Sequence, residues 1–185
     1  MSLKRWLMKT HNFTIVGSGV DTRTADFADR FYAAGCDDAT LSMQKGLVVL
    51  EFDRKARSFS AALFSALRDV KRAGANIERV EPDYLVNASD IAKRTGMGRA
   101  AISLYAKGER AQAFPHPVAR VTTDSPLWDW VEVSSWMYHE HKLPLGAVVE
   151  AKMVREVNRV VTGDRLPPLW LARQLQMQRI AEAAQ

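Results

Sequence analysis

Apolar and polar positions along the chain alternate between two periods. Residues 13–16 form a short β-branched run closed by Gly17 and Gly19, which predicts a strand. Asp21 or Thr22 can cap a following helix, with Ala25, Ala28, Phe31 and Tyr32 at its apolar positions and Gly35 as its stop. Residues 39–43 alternate as a strand, Lys45-Gly46 suits a hairpin turn, and residues 47–52 form the clearest strand in the chain. Ser58 or Ser60 can cap a second helix, in which Ala62, Leu63, Ala66, Leu67 and Val70 recur at helical spacing up to Gly74. Residues 77–80 close this block as a short strand before Pro82. The order β-α-β-β-α-β is that of the split βαβ, or ferredoxin-like, arrangement.

The pattern then turns helical. Residues 87–96 predict a short helix capped by Ser89 or Asn87, with Ile91 and Ala92 inward, and Gly96 permits the left-handed conformation of a tight helix-turn-helix connection. Met97 fills the turn from inside. A second helix over residues 98–108 puts Ile102 and Tyr105 on its core face and leaves Gly98, Arg99, Ala100, Ser103 and Lys107 outward. Residues 145–161 predict a longer helix with Val148, Val149, Met153, Val157, Val160 and Val161 along one face and Thr162-Gly163 as its stop. Pro167-Pro168 then opens another over 169–184, carrying Leu171, Leu175 and Ile180. The expected class is α+β. An N-terminal ferredoxin-like domain (1–84) precedes a central helix-turn-helix domain (85–140) and a C-terminal helical segment (141–185). Both outer parts are candidates for dimerisation, oligomerisation or partner binding.

Composition narrows the classes. Hydrophobic residues make up 47% and charged residues 25% of 185, as in a globular domain rather than a disordered or fibrous one. A single cysteine, Cys36, can form no internal disulfide, which fits a reducing cytoplasm, and it reads as a small buried side chain. No uncharged stretch is long enough to span a bilayer, and the opening MSLKRWLMK lacks the pattern of a secretory signal, so a cytoplasmic protein without membrane partners is expected. No Ser/His/Asp signature, P-loop, dinucleotide fingerprint or paired-carboxylate motif is present, so neither enzymatic activity nor a cofactor is expected. His139 and His141 have no further His or Cys cluster to complete a metal site.

The net charge of +5 permits nucleic-acid binding without requiring it. The surplus is steepest over residues 87–110, where Lys93, Arg94, Arg99, Lys107 and Arg110 face only Asp90 and Glu109. Small residues beside one arginine at the start of the second helix suit an element that lies deep in a major groove.

Residues 86–138 resemble the winged helix-turn-helix of the AlpA, excisionase and MerR-like group of DNA-binding proteins. Asp90, Ile91, Ala92 and Gly96 match that group's D-I-A-x-x-x-G first helix, and Gly98-Arg99 stands where Ser-Arg is usual. Phe114, Pro115, Pro117 and Val118 match its F-P-x-P-V segment, and Leu127, Trp128, Val133 and Trp136 match its close, with Trp128 and Trp136 as core. The resemblance implies double-stranded DNA as partner. It assigns base or phosphate contacts to Arg99 and Ser103, and minor-groove or backbone contacts to Arg120, Thr122 and Thr123. Gly98, Ala100, Lys107 and Arg110 belong to the same expected face, and Lys93 and Arg94 are candidate phosphate contacts. One such module buries only ~600–1,000 Å² on DNA, so a homodimer on paired half-sites is expected. The implied function is a sequence-specific transcriptional regulator, a dimeric repressor or autoregulator. The alternatives are an antitoxin-like protein-interaction module with an autoregulatory DNA-binding domain, or an excisionase-like architectural recombination factor.

Overall fold

The computed structural model describes residues 8–163. The expected helix over 169–184 lies outside them. The fold is α+β, with a four-stranded antiparallel sheet and six helices among the described residues.

The N-terminal part runs β1 (Lys9–Ser18), α1 (Phe27–Ala33), β2 (Ala39–Gln44), β3 (Leu47–Ala56), α2 (Phe59–Arg72) and β4 (Asn76–Glu81). The spatial order is β2-β3-β1-β4, so each helical crossover skips one strand and the two β-α-β units interleave. The period-2 pattern decides which side is buried. Leu41, Leu50, Ile15 and Val80 stand in one row across all four strands and face the helices. Thr40, Glu51, Thr14 and Glu81 form the neighbouring row on the other face. Phe13 stacks on Phe52 at 5.4 Å and meets Phe59 edge-on at 5.8 Å, which anchors the start of α2 to the sheet.

The elements differ from the sequence expectation in instructive places. β1 does not stop at Gly17. It continues to Ser18 because a missing Cβ lets Val48 and the Asn76 carbonyl approach; a Cβ there would lie 3.1 and 3.2 Å from them. Asp21 caps no helix. It accepts the Arg23 N–H and the Thr24 hydroxyl in a turn, so α1 begins only at Phe27. Ala25, Ala28 and Tyr32 are consequently exposed, and α1 packs through Phe27, Phe31 and Ala34 instead. Ser58, not Ser60, caps α2 by accepting the Ala61 N–H at 3.2 Å.

Arg54, at an inward position of β3, is the principal polar group of this core. All five of its N–H donors are engaged, by Asp38 twice and by Asp69, Ser65 and the Gly35 carbonyl. Its guanidinium also lies 4.9 Å over the Phe52 ring. Burial alone would lower the Arg54 pKa, but its hydrogen bonds to the Asp38 and Asp69 carboxylates raise it above its ordinary value. Cys36 is buried beside this network, and burial pushes its thiol up to about 11.

The second part runs β5 (Leu85–Val86), α3 (Ala88–Thr95), α4 (Arg99–Ala106), β6 (Trp128–Asp129) and α5 (Trp130–His139). β5 pairs with β6, and Ala119 bridges Leu127 just before β6. Its core joins Val86, Ile91, Ile102, Tyr105, Phe114, Trp128 and Val133. Phe114 is the hub of the aromatics, with Trp136 at 5.0 Å, Tyr105 at 6.0 Å and Trp128 at 6.3 Å.

α6 (Leu145–Val161) ties the two parts together. Ala151 belongs to the second core and Val154 and Val157 to the first. Arg155 pairs at 3.0 Å with Asp129, whose other oxygen caps α5 at Val131. The apolar face expected of this helix is therefore split. Val148 and Val157 are buried, whereas Val149 and Val160 remain exposed.

Candidate nucleic-acid interface

Local chemistry sets the geometry of the two short helices. Asn87 caps α3, accepting the Ser89 and Asp90 N–H groups at 2.8 and 3.0 Å, while Asp90 accepts the Asn87 N–H in return. This reciprocal cap occupies the Asp90 carboxylate. Gly96 ends α3 at φ 69°, where an L side chain is strained, and the Met97 N–H donates to the Ala92 carbonyl. Ile91, Ile102 and Tyr105 then bury the facing sides of the pair, with Met97 packed against them.

The outward side of α4 carries the charge. Arg99, Ser103 and Lys107 follow at i, i+4 and i+8, and Ala100 lies within the same arc. Arg99, Ala100 and Lys107 are exposed and Ser103 is partly so. Lys107 stands at the C-terminal cap of α4 rather than near its start. Gly98 is the N-terminal cap residue and supplies no side-chain acceptor, so the first N–H groups of α4 carry no side-chain cap.

Residues 118–127 form a hairpin, closed by the Leu127 N–H donating to Ala119 and the Val118 N–H donating to Leu127. Arg120 sits at its bend with φ 52°, exposed together with Val121, Thr122 and Thr123. The Thr123 hydroxyl is committed to the bend. It donates to the Arg120 carbonyl and accepts the Ser125 N–H, so the contact expected of its side chain is already taken.

Two arginines of the expected set are also engaged. Arg110, although exposed, lies 5.4 Å over the Tyr105 ring. Arg94 turns inward, contrary to the expected phosphate contact. Its guanidinium lies 5.1 Å over Trp130 and donates to the Asp83 carbonyl at 2.8 Å. Burial lowers its pKa, an effect that Asp90 and Asp83 only partly offset. The reason lies in the helical period: Arg94 follows the buried Ile91 by three residues and shares its face. Lys93, Arg99, Lys107, Arg110 and Arg120 form no ion pair among the described residues, whereas the N-terminal part mixes paired cations, Arg23, Arg54, Arg68, Arg72 and Arg79, with unpaired ones such as Arg30, Arg57 and Lys71.

The open face of the four-stranded sheet is a poor rival platform. Its positions include Thr10, Asn12, Thr14, Thr40, Ser42, Glu51, Asp53, Lys55, Arg79 and Glu81, with Val16 and Val49 among them, a mixed surface of acids, bases, hydroxyls and valines that offers no aromatic ring for base stacking.

Two polar atoms are left without partners by the packing. The His11 Nε2 and Arg94 Nη1 atoms are buried without a hydrogen-bond partner. His11 had a legible signal, since it shares the inward parity of Phe13 and Ile15 once β1 is extended to Lys9.

No protein-family model, curated protein or solved structure matches this chain. No helix among the described residues is long and apolar enough to cross a membrane.

Proposed function

We propose that this chain is a sequence-specific double-stranded DNA-binding regulator, a dimeric repressor or autoregulator. On this reading residues 85–140 are a winged helix-turn-helix, with α4 as the reading helix and residues 118–127 as the wing. The N-terminal part is a ferredoxin-like unit that helps assemble the dimer. The observation that carries the reading is the stripe Arg99, Ser103 and Lys107, which projects from a helix held by the Gly96 turn and forms no ion pair among the described residues. Unpaired cations on a rigid convex helix are what phosphate neutralisation and counterion release need. The uncapped first turn of α4 offers N–H donors to a phosphate, and Arg99 stands where a side chain can reach a base edge. The mechanism is steric: a bound dimer occludes a promoter.

A second reading, an antitoxin-like module that grips another protein, is favoured by one surface feature. An apolar groove of about 800 Å³ lies between α2 and α6, with Phe64, Leu67, Ile77, Met153 and Val160 on its walls. Patches of this kind mark association surfaces. The mass of the purified particle, measured by light scattering, separates a homodimer from a stoichiometric hetero-complex.

The deciding experiment is selection of genomic DNA fragments by the purified chain at two salt concentrations, followed by sequencing. An inverted repeat recovered at both supports the DNA-binding reading. Sequence-blind binding that disappears at the higher salt overturns it and leaves the protein-interaction reading.

A further inference from the structure

The groove of about 800 Å³ between α2 and α6 has Phe64 and Leu67 on one wall, Val149, Met153 and Val160 on the other, and Ile77 of β4 between them. Phe64, Val149 and Val160 are 56%, 49% and 71% exposed, so three large apolar side chains stand open on one concave face. The charges of its lining are Arg68, Lys71, Lys152 and Glu156. Three cations to one acid make a second copy of the same face a poor occupant, because most charges would meet their like.

The chain itself continues from the wall of this groove. α6 ends there, at Val160 and Val161, and Gly163, with φ 70°, is the left-handed residue that stops the helix and redirects the backbone. The sequence beyond it carries Leu169, Trp170, Leu171, Leu175, Met177 and Ile180, with Arg173 and Arg179 as the charges of residues 169–180. So many large apolar side chains in one short segment call for burial. At the helical rise, residues 169–184 extend about 24 Å, and α6 from Val149 to Val161 about 18 Å. Residues 162–168 make a connection of ordinary length between packed antiparallel helices. Ile180 follows Leu169 at the same sequence distance as Val160 follows Val149, so a returning helix that sets Leu169 near Val160 also sets Ile180 near Val149. The same register brings Arg173 to Glu156, the acid of the lining. We propose that residues 169–184 return as a helix antiparallel to α6 and fill this groove within the same chain. A groove filled in this way is closed to a second protein, which removes the support that the protein-interaction reading draws from it.

The test is amide hydrogen exchange, read by mass spectrometry, on the full chain beside a synthetic peptide of residues 164–185. Amides of 169–184 in the chain are expected to exchange at least about tenfold more slowly than in the peptide. The double variant Val149→Lys/Val160→Lys, at two exposed positions, returns them to the peptide's rate while α2 and β4 keep their protection. A second measurement reads the register through Val149→Cys/Ile180→Cys. Ile180 lies far along the segment from Gly163, so the connection alone does not force this pair together. Under mild oxidation it closes a disulfide within one chain, whereas Lys93→Cys/Ile180→Cys, with its first cysteine on exposed α3, does not. Peptide-like exchange over 169–184 overturns the proposal. Protection that survives the two lysines, or a Val149→Cys/Ile180→Cys disulfide that links two chains, overturns it as well. Should the lysine variant lose its α2 and β4 protection, the cysteine pair decides alone, and failure to close within one chain overturns the proposal. None of these readouts involves DNA, so the outcome stands apart from that of the DNA-binding reading.

Discussion

The side-chain amide of Asn158 pairs with the backbone of Val80 as a neighbouring strand would. The Val80 N–H donates to Asn158 Oδ1 at 2.7 Å, and Asn158 Nδ2 donates to the Val80 carbonyl at 2.8 Å. β4 is an edge strand whose outer side α6 covers, and this single side chain satisfies two backbone groups there that would otherwise be buried without partners. Asn158→Leu leaves both groups unsatisfied, at ~1–3 kcal/mol each. The expected loss of about 3 kcal/mol is read from the urea midpoint. Asn158→Asp retains an acceptor for the Val80 N–H and places an oxygen against the Val80 carbonyl, so it too destabilises. A variant as stable as the parent would show that water takes over the strand edge.

Arg54 governs the stability of the N-terminal core in a different way. Arg54→Leu removes the buried partner of Asp69, itself 5% exposed, and leaves that carboxylate only its outer pairs with Arg72 and Arg68. Removal of one partner of a buried pair costs ~3–5 kcal/mol, and the remaining pairs hold the loss to the lower end of that range. Adding Asp69→Leu to that variant recovers part of the loss, because the poorly compensated charge then disappears. With the Asp69→Leu single variant added, the unfolding free energies of the four chains give the coupling.

Cys36 is expected to be silent in the folded chain. Burial, with Asp69 and Asp38 acting in the same direction and Arg54 against them, holds its thiol near 11. At pH 8 only about one part in a thousand is then thiolate, three decades below the folded-state value. Because the shift is upward, alkylation by iodoacetamide rises with pH through the whole range to about 11. Full reaction at pH 8 in urea, and almost none without it, is the expected contrast.

The two glycines flanking Met97 respond oppositely to substitution. Gly96 has φ 69°, so Gly96→Ala costs ~1–2 kcal/mol although nothing within 4 Å would meet the new Cβ. Gly98 has φ −71° and open space around it, so Gly98→Ser fits without strain. It adds an N-cap hydroxyl and narrows the unfolded ensemble, for an expected gain of about 0.5 kcal/mol. Denaturant titration of the two variants checks both signs.

On the DNA-binding reading, Arg99→Ala costs ~1–3 kcal/mol and relaxes selection at one base pair of the site. Lys107→Ala weakens binding to all sequences alike and reduces the salt slope by about one. Arg94→Ala lowers folding stability, because it removes the contact with Trp130 and the Asp83 carbonyl. Its salt slope is unchanged. Fluorescence anisotropy over a salt series distinguishes the three.

Local rules were enough for the elements themselves. The Asn87 cap, the Gly96 turn and the buried Ile102 and Tyr105 follow from residue types at fixed spacing, since caps, left-handed turns and amphipathic faces are decided within a few residues. The β-α-β-β-α-β order was legible for the same reason, with errors at element ends: β1 runs from Lys9 to Ser18 rather than over 13–16, α1 begins only at Phe27, and β3 runs on to Ala56 rather than stopping at 52. Side chains whose partners lie far away along the chain were not legible. Arg54 lies beyond the expected strand of residues 47–52 and carries no local signal of burial until α2 brings Asp69 beneath it, and Asn158 reads as a helix surface residue until β4 ends the sheet there. Arg94 looks like a solvated helix charge by composition. The helical period puts Arg94 on the Ile91 face, but only the docking of α5, which sets the Trp130 ring beside it, makes that face a buried one for the charge, whereas Arg99 and Lys107 face solvent. Tertiary packing made that division, because desolvation and partner geometry depend on neighbours that sequence distance does not reveal.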